Sequence, residues 1–517
     1  MDKDQTKQVR RQCVKCGKCQ TVCPVFSVQP VEASAARGKM ALAEAVTQGY
    51  LDESDVYRNY LETCLLCGAC EEACPNEVQT LSAMLDARER LASNGGTKLG
   101  KKLILENFVG SPRLLDLAMR LGRNFLGLAF RRIPAESGIR RRFPLPLITR
   151  DRTLPSLADN FFTDRYKGQV NSGSGPKVGI FPGCMTNYFY PGTAEGIVGL
   201  LKKLGASVYV PEGQVCCGMP ALTGGAREIV RKLACQNLEA FEKYELDAIV
   251  TGCASCGGNL KENYGGLLRE AGVEDQRIEE FTSKVFDINE YMYRFSTPDS
   301  CEDVIQKEER DIERNKEELV VTYHHPCHLN RLQGVKAEPI ALIQSVPGVR
   351  YVPMADDQRC CGMGGSFSLE HYDIAKEVND QKVARIIETG ADAVVTSCPA
   401  CIMHIRDGLS RNQRGDIEVL HVTELLQRYD CEKQEVGKAW DSGTRRHGDT
   451  GNSEKIPCGR LSERAGEGGG GRPVHKTQNA ECRTQNTERR TQNTACHGVA
   501  ESEDGDAEYN QRLKAGR

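Results

Sequence analysis

At 517 residues, the chain is long enough for about three domains of ~150 residues, and its net charge of −3 gives no indication of a nucleic-acid partner. The amino terminus "MDKDQTKQVRRQ" is charged and no run of about eighteen apolar residues follows it, so we expect a cytoplasmic chain that does not span the membrane. In that compartment the 24 cysteines are expected to bind metal or to do redox chemistry rather than to form disulfides.

The first chemical signal in chain order is a run of four cysteines, "CVKCGKCQTVCP". Cys13, Cys16 and Cys19 are spaced to wrap one corner of an iron–sulfur cube, whereas Cys23 lies too far along the chain to close the same cube. In the bacterial ferredoxin pattern C-x2-C-x2-C-x3-C-P, this fourth cysteine binds the other cluster of a pair, so a second copy is required. That copy is "CLLCGACEEACP" at residues 64–75, with identical spacing.

Carrying the ferredoxin pattern over position by position predicts two [4Fe–4S] clusters in a helical, ferredoxin-like domain at residues 1–100. The predicted ligands are Cys13, Cys16, Cys19 and Cys74 for the first cluster, and Cys23, Cys64, Cys67 and Cys70 for the second. A pair of zinc knuckles is the alternative. Zinc favours two spaced pairs of ligands, so two matched quartets favour iron–sulfur.

Helical patterns accompany and follow these quartets. The run "ARGKMALAEAV" from Ala36 and the segment 81–91, ended by Asn-Gly-Gly at 94–96, are each predicted to be a helix. Residues 101–175 are predicted to be a basic helical linker, because apolar residues from Leu114 to Leu128 keep a helical period between arginines. A helix packed on the next domain is the favoured interpretation. A membrane-surface helix or a docking site for an acidic partner is the alternative.

An internal repeat follows the linker. In each half, a Val/Ile-rich run ends at a cysteine, a "CCG" follows, and a second such run ends at a C-x2-C pair. The interval from the first cysteine to the CCG motif is 32 residues in one half and 33 in the other. Short apolar runs alternating with helical segments predict two open parallel α/β sheets, at residues 176–300 and 318–430.

Each half of the repeat is predicted to gather five cysteines. Ligand sites in open α/β sheets lie beyond the carboxyl ends of the strands, which is where these cysteines occur. The first set is Cys184, Cys216, Cys217, Cys253 and Cys256, and the second set is Cys327, Cys360, Cys361, Cys398 and Cys401. The predicted fold class is therefore α+β overall: a helical two-[4Fe–4S] ferredoxin-like domain, two repeated α/β cysteine-rich domains and a disordered tail at 431–517.

The doubled pattern C…CCG…C-x2-C resembles the cysteine-rich "CCG" domain family typified by the B subunit of heterodisulfide reductase. That resemblance implies a noncubane [4Fe–4S] cluster or zinc in each five-cysteine set. Over residues 10–430 the order of parts is similar to the iron–sulfur subunits of glycolate oxidase and D-lactate dehydrogenases. It also resembles the fused D subunit of heterodisulfide reductase and, more loosely, the C subunit of anaerobic glycerol-3-phosphate dehydrogenase.

The function implied by this resemblance is electron transfer within an oxidoreductase complex. No G-x-G-x-x-G turn follows a predicted strand, so hydride chemistry is expected on a FAD-bearing partner that oxidises glycolate or D-lactate, and no catalytic residue is assigned here. Electrons would pass toward a quinone or another carrier, with peripheral association at the inner face of the membrane. The alternatives are a disulfide reductase acting at a noncubane cluster and a non-catalytic metal-sensing scaffold.

Residues outside the cysteine sets are predicted to have supporting roles. His324, His325 and His328 flank Cys327 and lack counterparts in the first half, so tuning of the metal is favoured over ligation. Asp287 and His421 occupy matching positions and are predicted to cap a repeated helix. Free thiols are predicted at Cys235 and Cys301, and no ligand is assigned in the tail, which repeats "TQN" without apolar positions.

Overall fold

The structure is a computed structural model that describes residues 12–96, 103–132, 138–143, 149, 152–295 and 318–428. All of these residues belong to one unit, Met1–Arg445. The predictions for Cys301 and for the tail lie outside the described residues. Among the helices that are described, none combines the length and apolar character needed to cross a membrane.

The amino-terminal region is helical, as the sequence predicts. Each cysteine quartet forms a loop that turns into a short helix at a glycine with a left-handed backbone, Gly17 at φ 83° and Gly68 at φ 75°. A side chain at either position would be strained in that conformation. The helices are α1 (Lys18–Val22), α2 (Pro24–Val28), α3 (Ala36–Thr47), α4 (Asp55–Glu62), α5 (Ala69–Glu72) and α6 (Thr80–Leu91), with a 3₁₀ turn at Glu32–Ser34 and a π turn at Ala92–Gly96.

The linker contains a long amphipathic helix, α7 (Pro112–Ala129), preceded by a π turn at Leu105–Val109. One face of α7 packs inward, with Leu115 and Met119 against the buried rings of Phe161 and Tyr188. A small hairpin, β1 (Phe130–Arg132) and β2 (Ile139–Arg141), and a short helix, α8 (Phe162–Arg165), complete the linker. The packing of α7 on the next domain agrees with the favoured interpretation of this segment.

The first repeat is a five-stranded sheet with helices on its faces. The strand order is β3-β5-β4-β6-β7, and all neighbours are parallel except β3, which runs antiparallel to β5. The elements are β3 (Gly168–Gln169), β4 (Lys177–Ile180), α9 (Gly183–Tyr188), α10 (Pro191–Lys203), β5 (Ser207–Val210), α11 (Met219–Thr223), α12 (Arg227–Glu242), β6 (Ala248–Thr251), α13 (Ala254–Gly258), a π turn at Asn259–Asn263, α14 (Tyr264–Glu270), α15 (Asp275–Ser283), β7 (Val285–Asp287) and α16 (Ile288–Phe295).

The second repeat is a four-stranded parallel sheet with strand order β11-β10-β8-β9. Its elements are β8 (Leu319–His324), a π turn at His328–Leu332, α17 (Glu338–Gln344), β9 (Val349–Tyr351), α18 (Phe367–Glu370), α19 (Tyr372–Glu388), β10 (Ala393–Thr396), α20 (Pro399–Arg411) and β11 (Glu418–His421). Matching β4 with β8 and β6 with β10 gives the same strand order in both sheets, so the structure confirms the duplicated parallel α/β architecture.

The two repeats share a buried core, and polar contacts join them where β6 and β10 end. One hydrophobic cluster contains Cys253 and Ala254 of the first repeat together with Cys398 and Ile402 of the second. The backbone N–H of Ala254 donates to the carbonyl of Ser397 at 3.3 Å. The carboxyl ends of the two central strands therefore face each other.

Arg88 on α6 joins the ferredoxin-like region to the first repeat. Its side chain is buried, and it donates to the carbonyl oxygens of Leu61 at 2.8 Å and Cys64 at 2.7 Å. The same guanidinium donates to the carbonyl of Thr223 in α11 at 2.8 Å. One side chain thus satisfies acceptors in two regions that are distant in the sequence.

We expect Arg88→Met to destabilise the protein by about 3 kcal/mol or more, because each buried acceptor that loses its donor costs roughly 1–3 kcal/mol. Anaerobic urea denaturation of the full chain measures this change. Arg90→Met, on the same helix and half-buried, is the matched control and should have a smaller effect. Equal destabilisation by both substitutions would contradict a bridging role for Arg88.

Candidate metal centres

The first predicted ferredoxin ligand set surrounds an open cavity of about 250 Å³. Cys13, Cys19 and Cys74 line this cavity, and Cys16 is exposed beside them. Burial raises the pKa of the Cys19 thiol, while a backbone hydrogen bond and the positive charge of Arg37 lower it. Arg37 also lines the cavity, so a cation faces the site where thiolate charge would accumulate.

The second predicted set lines a much narrower cavity. Cys23, Cys64, Cys67 and Cys70 all face it. Cys70 also lines the first cavity, so the two sets adjoin at this residue. Burial raises the pKa of Cys23 to about 11, with the neighbouring Cys67 and Cys64 adding to the shift. The pKa values of Cys67 and Cys70 are raised as well, and thiols that resist ionisation are suited to a bound cation that compensates the charge of their thiolate form.

A lysine that no motif in the sequence pointed to is buried beside this second set. Lys39, on α3, is 2% exposed and lines the same cavity as the four cysteines. Its ammonium donates to the carbonyl of Tyr60 and, at 3.3 Å, to the hydroxyl of Thr63. Burial lowers the pKa of Lys39 to about 8, and the nearby Cys64 and Cys23 oppose this shift. At neutral pH, Lys39 therefore places a positive charge next to the second set.

The five cysteines of the first repeat form one continuous group of thiols. Cys184 contacts Cys216, which adjoins Cys217, and Cys217 in turn contacts Cys256. Cys253 completes the group through Cys256. Hydrogen bonds from Cys216 and Cys256 lower the pKa of Cys217, which favours the thiolate form at this member of the group.

The second repeat gathers its five cysteines in the same way. The sulfur atoms of Cys327 and Cys360 lie 4.0 Å apart, and those of Cys361 and Cys401 lie 3.6 Å apart. Cys398 contacts Cys401. Hydrogen bonds from neighbouring thiols lower the pKa of Cys361, which occupies the position matching Cys217. The structure therefore brings together each five-cysteine group that the sequence predicts.

Two sulfur contacts connect the sets in a row. The thiol of Cys67 in the ferredoxin-like region packs against that of Cys360 in the second repeat. The thiol of Cys253 in the first repeat packs against that of Cys398 in the second. The order along the row is therefore the first ferredoxin set, the second ferredoxin set, the second repeat and the first repeat. The linear sequence does not indicate this order, because it places the first repeat nearer to the ferredoxin-like region.

Polar side chains hold the junction between Cys67 and Cys360. Arg331 donates to Glu72 at 2.7 Å, to the carbonyl of Gln358 at 2.9 Å and to the carbonyl of Cys67 at 3.4 Å. A ring nitrogen of His328 lies 3.2 Å from the carbonyl of Leu66. His328 thus supports the junction, which agrees with a non-ligating role for this histidine.

His324 lies among the cysteines of the second repeat. It is fully buried, and neither ring nitrogen has a hydrogen-bond partner among the described residues. One of its ring nitrogens and the sulfur atoms of Cys361 and Cys401 all lie within 4.8 Å of one another. Burial lowers the pKa of His324, so the ring is neutral. An unpartnered buried imidazole beside thiols is suited to a bound metal group that could accept its N–H or its lone pair.

The remaining polar candidates have structural roles. Asp287 accepts the N–H of Asn289 at 2.9 Å, and His421 accepts the N–H of Thr423 at 3.2 Å. Both residues therefore cap the segment that follows their strand, as predicted. His325 pairs with Asp357 at 3.3 Å. Cys235 lies on α12, half-buried and without a disulfide.

Lys382 is a second buried lysine that sequence reasoning missed. It is fully buried on α19 and donates to the carbonyls of Asp356 and Asp357. Burial lowers its pKa to about 8, while Cys361 and Cys360 raise it. The only sequence signal was a lysine on the apolar face of a predicted helix, as for Lys39, and such lysines are ordinarily solvated.

These donor sets fit the metal groups expected from the sequence. Apart from the exposed Cys16, the sets consist of buried or half-buried thiols in close groups, and cations beside three of the sets offset negative charge. Thiolates suit iron–sulfur clusters or zinc, and bound iron–sulfur clusters would supply one-electron transfer. The row of sets is therefore chemically suited to hold several redox centres in one chain.

Comparison with known proteins is consistent with this arrangement. A family described as a 4Fe–4S dicluster domain matches residues 10–78, and a family described as a cysteine-rich domain matches residues 178–261 and 321–406. One subunit of the "Fumarate reductase (CoM/CoB)" of Methanothermobacter marburgensis is 30% identical over 431 residues, covering 82% of this chain and 73% of that protein.

Two further relatives come from bacteria. The "Probable glycolate oxidase iron-sulfur subunit" of Bacillus subtilis is 27% identical over 429 residues, covering 80% of this chain and 92% of that protein. The "Lactate utilization protein A" of Shouchella clausii is 32% identical over 249 residues, covering 48% of this chain and 98% of that protein. This last similarity covers about half of the chain, whereas the first two extend over most of it.

We expect Lys39→Met to lower the reduction potential of a cluster in the second set by about 60 mV or more, a tenfold change in a one-electron equilibrium. Removing the buried positive charge disfavours the more negative, reduced state. Redox titration followed by electron paramagnetic resonance measures the potential. Lys243→Met, at an exposed lysine of the first repeat, is the control. An unchanged potential in Lys39→Met with full iron content would contradict this role.

Proposed function

Because this chain belongs to the family of iron–sulfur proteins that join a 4Fe–4S dicluster domain to two cysteine-rich domains, we propose that it is the electron-transfer subunit of a flavin-dependent 2-hydroxyacid dehydrogenase. The row of four adjoining cysteine sets is the observation that carries this proposal, through the contacts of Cys67 with Cys360 and Cys253 with Cys398. An unbroken series of thiolate sites is what transfer of single electrons over a long distance requires.

Glycolate or D-lactate is the proposed substrate of the complex, and its oxidation takes place on a FAD-bearing partner. The names of the Bacillus subtilis and Shouchella clausii relatives support this substrate class. Within this chain, the thiols hold the metal groups, and Arg37 and Lys39 offset their charge. The acceptor is a quinone or another electron carrier.

The partner flavoprotein is proposed to dock at the first ferredoxin set, which forms one end of the row. Cys16 is exposed there, and the side chain of Val14 is 61% exposed. The other sets are more enclosed, because each of their cysteines in the described structure is buried or half-buried. If electrons enter at this exposed end, they pass through all four cysteine sets on the way to the acceptor.

The isolated chain should not oxidise glycolate or D-lactate with any artificial acceptor, and activity should appear when the FAD-bearing partner is added. Within that complex, Cys19→Ser should abolish electron flow to the acceptor and leave flavin reduction by substrate intact, because hydride transfer precedes transfer through this chain. Stopped-flow absorbance separates the two steps. Cys235→Ser, at the half-buried thiol outside the sets, is the matched control.

Substrate oxidation by the isolated chain would contradict the proposal. Loss of flavin reduction in a Cys19→Ser complex that remains assembled would also contradict it. Turnover of a disulfide with reduced viologen, combined with no effect of the partner, would instead favour the disulfide-reductase alternative.

We also propose that the outer face of α7 rests on a membrane surface. Leu114, Leu117 and Leu121 recur along one side of this helix and are about half exposed, and Arg113 is exposed beside them. Residues 103–143 contain eight arginines and three acidic residues, a balance that suits anionic phospholipid. Docking there would bring the chain to a lipid-soluble quinone.

Leu117→Glu should weaken binding to vesicles of phosphatidylglycerol and phosphatidylcholine about thirtyfold, because burying one leucine contributes roughly 2 kcal/mol. Flotation of the full chain with such vesicles measures this binding. Tyr293→Glu, at another exposed apolar residue, is the control and should bind like the wild type. No binding by the wild type would contradict the membrane proposal without affecting the relay.

A further inference from the structure

An open cavity of about 260 Å³ lies between the linker and the first repeat. Its walls include Leu115 and Asp116 of α7, Tyr166 after α8, and Tyr188 of α9. Lys167 and Glu212 stand at its exposed side. The sequence did not single out any of these residues as a candidate ligand.

The cavity reaches the end of the cysteine row. Of the cysteines in the described structure, Cys184 and Cys216 alone line it, and they are the two least buried members of the first five-cysteine set. Cys217, Cys253 and Cys256 are buried and do not line it. The cavity is therefore beside the metal position rather than identical to it, since a group held by all five cysteines would face all five.

Comparison of the two repeats indicates a role for the position of Cys184 and Cys216. Cys327 and Cys360 are the counterparts of Cys184 and Cys216, and in the second repeat they pack against Cys67 of the ferredoxin-like region. That face is thus where the second repeat meets another redox site. In the first repeat, the corresponding face, at Cys184 and Cys216, borders the cavity instead. A small redox molecule could therefore bind there, at the position where the second repeat contacts the ferredoxin-like region.

The lining matches a flat, mostly apolar molecule with oxygen atoms at its edge. Val109, Pro112, Leu115 and Val215 provide apolar surface, and Tyr166 and Tyr188 provide aromatic surface. Lys167 carries N–H donors for a carbonyl oxygen, while Asp116 and Glu212 can accept from hydroxyl groups. A volume near 260 Å³ accommodates a headgroup and not a large cofactor.

We propose that this cavity binds the headgroup of a quinone and is the site where electrons leave the chain. The inference rests on the proposed electron-transfer function and assigns its acceptor a position. The quinone gains two electrons, which arrive singly from the relay reduced by the dehydrogenase, and two protons from solvent, and its two carbonyl oxygens become hydroxyl groups. The exposed leucines on the outer face of α7 lie on the helix that forms one wall, which suits a ligand arriving from a bilayer.

Binding of 2,3-dimethyl-1,4-naphthoquinone to the purified, fully loaded chain tests the site without any partner or turnover. Isothermal titration calorimetry of the oxidised protein gives the affinity. Leu115→Trp fills the cavity and should weaken binding at least about tenfold. Leu114→Trp, at the adjacent but outward-facing position, is the matched control and should bind like the wild type.

A second cavity variant is needed because Leu115→Trp could weaken binding by disturbing the fold around Leu115. Glu212 is exposed at the mouth, so Glu212→Trp should obstruct entry without disturbing the core, and Glu245→Trp, at a side chain that is 95% exposed, is its control. Iron content confirms that each variant is loaded. Weaker binding in both cavity variants but in neither control supports the site.

Failure of the inference is distinguishable from failure of the proposed function. If the wild type does not bind the naphthoquinone, or if both cavity variants bind it unchanged, the quinone site is overturned, even where the FAD-bearing partner still reduces the chain. If the partner fails to reduce the chain, the proposed function falls, while the binding measurement on the isolated chain still decides whether the cavity takes a quinone.

Discussion

The contact between Cys67 and Cys360 holds the arrangement of sites together, because it joins the ferredoxin-like region to the second repeat through two predicted ligands. Cys23, Cys67, Cys327 and Cys360 belong to one apolar cluster with Val25 and Phe367. Arg331 fixes the junction by bonding to groups on both sides. Without this docking, the thiols of the two regions would be separate sites rather than one row.

Gene duplication and strand geometry together explain the other half of the row. Each repeat places cysteines just beyond its parallel strands, and the two sheets meet so that the ends of β6 and β10 face each other. Cys253 and Cys398 occupy equivalent positions and touch across this junction. A pair of equivalent residues thus connects the cysteine sets of the two repeats. The outer faces of the repeats differ, because the face of the second repeat packs against Cys67 and that of the first borders an open cavity.

Cations lie beside three of the cysteine sets. Arg37 faces the first ferredoxin set, Lys39 the second, and Lys382 lies near the cysteines of the second repeat. Each lysine retains a partner carbonyl in place of water, which offsets part of the cost of burying its charge. Thiolates and bound clusters carry negative charge, so these cations both permit their burial and favour the reduced state.

Spacing and periodicity along the chain were enough to predict the cysteine sets, the helices at Ala36 and in the linker, and the duplicated parallel sheets, because these are local properties of the sequence. They did not reveal Lys39 or Lys382 as neighbours of the thiols, since a buried lysine looks like a solvated one until its surroundings are known. The order of the sets and the cavity beside Cys184 became visible only in the folded chain. Both depend on which surfaces pack together, and such contacts between distant segments leave no periodic trace in the sequence.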